Sequence, residues 1–355
     1  MLRVVPTLLL CLVVPWPAAA CYWDRDTLAM ERKRFPDAAR LLAGQVLRQP
    51  QALYLDRITE CRALIAEGRD ELPLRDDLAV ALDKTGQHAE AIRVAEESLA
   101  RAPERYETLA NLGTFHAHAG NLEKGAEFIR AALRVNPQAH FGREVVQLRV
   151  VEYVLARRAA RPGLPLDATY DDAIARLRAT PDFEGRALDP DGIWLGEGDL
   201  FETRGFAAFA QAGGLDRDAA LKGLLGMMMF GQPDHPVLLE ALGDVLMWDR
   251  RQKQDAKRLA GWAYLRAAEV ADPEVRSAYR ARAALALVGH RGVTLRDEAV
   301  VFAREREKGR RAQARAEARA QRRPQGRAPP TWEDVEEDRR RTRAKKPPHR
   351  GARSR

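Results

Sequence analysis

The chain has 355 residues, 46% hydrophobic and 31% charged, with a net charge of +8 and three cysteines. That composition excludes a collagen-like or low-complexity fibre and a disulfide-dense mini-protein, and the length allows about two to three packed units. The charge is uneven, because residues 304–355 carry 19 Lys+Arg against 8 Asp+Glu and leave the remainder slightly acidic.

Residues 1–20 read as an export signal. Arg3 gives a positive start, Val4 to Val14 are largely apolar, and Ala18-Ala19-Ala20 supply the small residues that a signal peptidase needs. Pro6 and Pro15 break the run, which falls short of the ~20 residues that span a bilayer. Export to the periplasm or beyond is therefore expected. Cleavage after Ala20 makes Cys21 the first mature residue, and two fates stay open for it. It is either lipidated, anchoring the chain to a membrane, or bridged to Cys61, the only other mature cysteine.

The next informative feature is an internal repeat. "LPLRDDLAVALDKTGQHAEAIRVAEESLARAP" and "YETLANLGTFHAHAGNLEKGAEFIRAALRVNP" align without gaps, so Leu78 and Leu112, Gly86 and Gly120, Leu99 and Leu133, and Pro103 and Pro137 are each 34 apart. Each unit reads as two helices. Leu78, Ala79 and Leu82 mark the inner face of a first helix that Gly86 ends with a left-handed turn. Ala91, Ala95 and Leu99, or Gly125, Ile129 and Leu133, give a second helix with a small-residue stripe, closed by the proline. Helical patterns at "DAARLLAGQVL", "ALYLDRITECRALIAEG" and "HFGREVVQLRVVEYVLARRA" flank the two units and extend the stack over residues 21–160.

This pattern resembles the tetratricopeptide repeat family, carried by Leu112-Gly113, Gly120, Ala132-Leu133 and Pro137 in one unit. In the other it is carried by Leu78-Ala79, Gly86, Ala91, Leu99 and Pro103. The opening "CYWDRDTLAMERKRFPDAARLL" is similar to that of exported bacterial members with no assigned activity. The resemblance implies an α-solenoid with a concave groove that holds a peptide or protein surface. It maps groove-facing positions onto Asp76, Val80, Asp83 and Lys84, onto Ala110, Thr114, Ala117 and His118, and onto Glu144 and Glu152. The Lys and Asn pattern with which some members clamp a C-terminal carboxylate is replaced here by Asp76, Val80 and Thr114. A neutral or basic segment is thus the expected ligand.

Residues 161–215 are rich in Pro, Gly and Asp and read as an irregular connection. Helical patterns resume over 216–303 in "RDAALKGLLGMMMF", "HPVLLEALGDVLMW", "AKRLAGWAYLRAAEVADP" and "VRSAYRARAALALV", a second, looser array. "GMMMFG", Trp262 and Tyr264 read as core. Residues 304–355 have dense charge and no apolar stripe, which predicts a disordered basic tail. That tail is either a solvated extension or a docking element for anionic lipid or envelope polymer, with nucleic acid disfavoured by export.

No motif points to catalysis. There is no phosphate-cradling Gly loop, His-Glu-x-x-His, Gly-x-Ser-x-Gly or Cys-x-x-Cys. "DPDGIWLGEGDLFE" departs from a calcium loop at Ile193, Trp194 and Leu200. His116 and His118, two apart on a helix, face different ways and cannot share a metal while helical; His116 sits at a core position. The expectation is an all-α protein without cofactor or metal, a non-enzymatic interaction scaffold of the cell envelope. The alternative is a structural envelope protein held by its tail or by Cys21.

Overall fold

A computed structural model describes residues 38–138, 142–160, 163–185, 203–248, 254–290 and 292–322. The export signal, Cys21, the whole 189–202 acidic loop and the blocks beyond 322 lie outside the described residues. Fourteen α-helices and one 3-10 turn, and no strand, occur among the described residues. In chain order they are α1 (Ala38–Leu42), α2 (Gln51–Ala66), α3 (Leu72–Lys84), α4 (His88–Arg101), α5 (Tyr106–His118), α6 (Leu122–Val135) and α7 (Arg143–Ala160). Then follow α8 (Asp171–Ala179), α9 (Gly205–Ala212), α10 (Arg217–Phe230), α11 (Pro236–Met247), α12 (Gln254–Val270), α13 (Arg276–Leu287) and α14 (Leu295–Gln321). No described helix is long and apolar enough to cross a membrane.

The 34-residue repeat is reproduced in backbone detail. Gly86 N–H donates to the Asp83 carbonyl and Gln87 N–H to that of Leu82; Gly120 and Asn121 make the same bonds to Ala117 and His116. Both glycines are left-handed, at φ +83° and +85°, which is the helix-ending motif that glycine best tolerates. Farther along, Ala102 and Asn136 end α4 and α6 at φ −146° and −145°. The small-residue stripe brings α5 and α6 together: a Cβ on Gly113 would lie 2.6 Å from Ile129 Cγ1, and one on Gly125 would lie 3.1 Å from the Gly113 carbonyl.

Two large interiors follow from this pairing, beside a small cluster of Tyr106, Leu109, Ala110 and Ala132 between α5 and α6. The first joins α2 to α5 through Ile58, Cys61, Leu78, Leu82, Val94, Leu112 and Phe115. The second runs from Leu41 and Leu42 through α6 and α7, the 163–185 segment and α9 to α13, as far as Phe302. The connecting region is therefore not merely irregular: α8 and α9 contribute Ala173, Leu177, Phe206 and Ala210 to the same core as the second array. Trp262, Tyr264, Met227 and Met228 are buried there as the sequence suggests.

The expected tail boundary at 304 falls inside a helix. Thr294 Oγ1 accepts the Asp297 N–H and caps α14, which then continues unbroken to Gln321. Few apolar residues hold it, chiefly Leu295 and Phe302. Polar anchors supply the rest. Glu298 accepts from Arg258 (3.0 and 3.1 Å) and from the Trp262 indole (2.5 Å); Arg306 pairs with Glu269 at 3.0 Å, and Gln45 donates to Glu305 at 2.8 Å. Gly309 lets the helix lie on the backbone of Ala43 and Gly44, where a Cβ would come within 2.3 Å of the Ala43 carbonyl.

Candidate functional site

Most of the residues that the resemblance assigns to a groove are buried, and the polar ones have partners within the chain. Val80, Ala110, Thr114 and Ala117 are buried, as are Asp76, Asp83, His118 and Glu144. Asp76 accepts from Arg105 (2.5 and 3.2 Å) and from Thr108 (3.3 Å). Burial raises its pKa to about 6 even though Arg105 opposes the shift. Gln147 of α7 donates to Thr114 at 3.3 Å. Glu152, at the rim, accepts from Arg130 (2.9 Å) and Arg149 (2.8 Å). The Lys84 ammonium donates to the Phe230 carbonyl at the end of α10 and lies 5.7 Å from the centre of the Tyr54 ring. Arg143 stacks on Phe230 from the other side, at 4.8 Å. The end of α10 thus packs against residues of α3 and α7. Both acids expected to select a basic ligand already have internal partners.

One group on this face has a different chemistry. Asp83 ends α3, His88 begins α4 and His118 ends α5, so that two successive hairpins contribute. Asp83 Oδ1 lies 2.6 Å from His88 Nδ1, and its Oδ2 lies 2.7 Å from His118 Nδ1. The imidazole rings meet edge to face, 5.9 Å apart. The side chains of Asp83 and His118 are fully enclosed, whereas that of His88 is 30% exposed. The hydrogen bond that His88 donates to Asp83 raises the His88 pKa against the effect of burial. One ligating atom from each of the three lies within 4.8 Å of the others, so they could hold a metal ion. His116 plays no part. It stacks flat on Phe128 with centroids 5.3 Å apart, and burial lowers its pKa. Reasoning within one helix correctly separated His116 from His118 but missed Asp83 and His88, which only the repeat register brings near.

A second polar cluster lies at the centre of the larger core. Glu240 accepts from Leu166 N–H (2.9 Å), Tyr279 (2.7 Å) and Arg282 (2.9 Å). Asp244 accepts from Tyr264 (2.6 Å), Tyr170 (3.2 Å) and Phe206 N–H (2.8 Å). Arg282 also donates to the Asp167 carbonyl at 2.6 Å and sits 4.5 Å over the Tyr170 ring. These donors and acceptors staple the 163–170 segment and α9 to α11, α12 and α13. Glu240, Asp244, Tyr264, Tyr279 and Arg282 are at most 1% exposed, so no solute meets them in this conformation.

At the junction of α1, α10, α12 and α14 a cleft of about 170 Å³ is lined by Arg48, Met228, Met229, Asp234, Arg266 and Arg306 among others. Arg266 donates to the carbonyls of Leu41 and Leu42, tying α1 to α12. Burial would raise the Asp234 pKa, but Arg266, Arg48 and Arg306 together hold it below its ordinary value. On the solvent side of α14, Val300 and Val301 are exposed and line a shallow depression with Arg304, Glu305, Glu307, Lys308 and Arg311. Cys61 is buried in the first core, while its proposed partner Cys21 lies outside the described residues.

Comparison with known proteins finds no family model that matches the chain, no similar curated protein and no similar solved structure.

Proposed function

We propose that this chain is a non-catalytic interaction scaffold of the cell envelope, an arc of tetratricopeptide-like hairpins whose partner docks on the outer face of α14. The observation that carries this reading is the exposed strip of Val300, Val301, Arg304, Lys308 and Arg311 on a helix that is anchored on its other side. The two adjacent exposed valines leave apolar surface on a fixed helix for a partner to cover, and the charge around them is mixed, with Lys308 paired to Glu305 and Arg311 to Glu307. Most of the positions that the repeat would offer first are buried, so the outer face is the better candidate. The complete enclosure of the Glu240 and Asp244 cluster supports a structural role for it. The export signal over 1–20 would deliver the scaffold to the envelope, and its partner is a protein or peptide surface that combines apolar and acidic groups.

The test is capture and cross-linking from native envelope. Val300→Asp with Val301→Asp, and separately Arg304→Glu with Lys308→Glu and Arg311→Glu, should abolish recovery of the partner while helical circular dichroism is unchanged. Undiminished recovery by both variants would refute the assignment. The strip also favours one alternative, docking on an anionic lipid surface. In that case the parent chain sediments with acidic vesicles at low salt, and the charge-reversed variant does not.

A further inference from the structure

Asp83, His88 and His118 present two imidazoles and one carboxylate at the seam between two hairpins. We infer that they form a binding site for a divalent transition-metal ion of the zinc class, which clasps the first hairpin to the second. This inference goes beyond the scaffold reading and does not depend on it.

The donor set selects the ion. Imidazole nitrogen with a single carboxylate suits zinc, cobalt and nickel, whereas calcium and magnesium take oxygen ligands almost throughout. The spacing is close to what such an ion needs. Bonds of ~2.0–2.2 Å in a tetrahedron place ligand atoms roughly 3.3–3.5 Å apart, and here every pair lies within 4.8 Å. The two Asp83 contacts, at 2.6 and 2.7 Å, must open slightly, and the widest pair must close. His88 can make that adjustment, because its side chain is partly exposed at the start of α4, just after the Gly86 turn. Asp83 and His118 provide the fixed half of the site, being fully enclosed. Solvent access at His88 also supplies an entry path and a fourth position for water.

Without metal, protons bridge the same atoms, since one carboxylate holds an Nδ1 of each ring. An ion would replace those protons between unchanged partners, which is the usual exchange when histidine and carboxylate ligands bind metal. Nearby, the Lys84 ammonium donates to the Phe230 carbonyl and lies over the Tyr54 ring. The construction follows from the repeat. Asp83 and His88 straddle the Gly86 turn, and His118 lies one place past Ala117, the 34-residue equivalent of Asp83.

The full chain, made without an affinity tag and stripped with chelator, is titrated with Co2+, followed by visible d–d absorption, and then with Zn2+ in competition. One Co2+ per chain should give tetrahedral bands that Zn2+ erases, and Zn2+ should raise the melting temperature by mass action. His88→Ala, at the partly exposed ligand, should keep the parent's metal-free helicity, lose the rise in melting temperature on adding Zn2+, and weaken binding at least ~tenfold. His118→Gln should weaken it as much. Absence of tetrahedral bands at roughly 1 mM Co2+, the limit of weak binding, would overturn the inference. So would bands of parental strength in both the His88→Ala and His118→Gln variants, which would place the ion elsewhere.

Discussion

At Asp244 three donors meet one buried carboxyl group, and two effects compete. The hydrogen bonds from Tyr264 and Phe206 and the charge of Arg282 favour the ion, but burial, aided by nearby Glu240, outweighs them and raises its pKa to about 7. The folded protein therefore holds this proton more tightly than the unfolded chain, whose ordinary value is 3.8. Its stabilising contribution is complete below the unfolded pKa and is lost as pH rises through about 7. Urea midpoints measured across that window should fall with rising pH in the parent and change less in Asp244→Asn; parallel curves would show that Asp244 is ionised throughout. None of this could be read from the sequence. Glu240 and Asp244 sit four apart on one face of α11, but only the fold brings Arg282, Tyr170 and Tyr264 to them. The same holds for Asp83, His88 and His118, where the legible signal was the repeat register and not any local motif.

The helices themselves were largely legible, because their punctuation is local. Gly86 and Gly120 end their helices in one conformation, and the small residues at 79, 91, 113 and 125 mark the faces that pack closest. These glycines serve different ends, and substitution separates them. At Gly86 an added Cβ meets nothing within 4 Å, so Gly86→Ala should cost only the ~1–2 kcal/mol of a left-handed alanine. At Gly113 the Cβ would strike Ile129 and force α5 from α6, so Gly113→Ala should cost about 1–3 kcal/mol through overpacking. Ile129→Ala, which removes the struck Cγ1, should cost less stability in the Gly113→Ala background than in the parent and the same in the Gly86→Ala background; equal costs in all three would erase the distinction. The sequence misleads at α14. Its 27 residues carry too few apolar positions for a periodic signal, and its attachment rests on Glu298, Arg306 and the bare backbone at Gly309. Ion pairs and a glycine contact leave no trace in a hydrophobicity pattern.

Over the whole molecule, the sequence suggests two arrays joined by loops, whereas α6 and α7 share one interior with α9 to α13. The closure depends on contacts between residues far apart in the chain. Lys84 reaches Phe230, Arg149 reaches Gly213 at 2.9 Å, and Arg266 reaches Leu41 and Leu42. A repeat pattern describes each hairpin and its neighbour, but it does not say whether the hollow stays open. Here the end of α10 meets Lys84 and Arg143, and Gln147 of α7 meets Thr114, which moves the candidate docking surface to α14. The most direct test is thiol labelling of Thr114→Cys, a near-isosteric change at a fully buried hollow-face position. Against the unsubstituted chain, the new thiol should react with a bulky maleimide only as fast as the protein unfolds. Labelling within the mixing time of the native protein would mean that the hollow is open to solvent, and would contradict the closed arrangement.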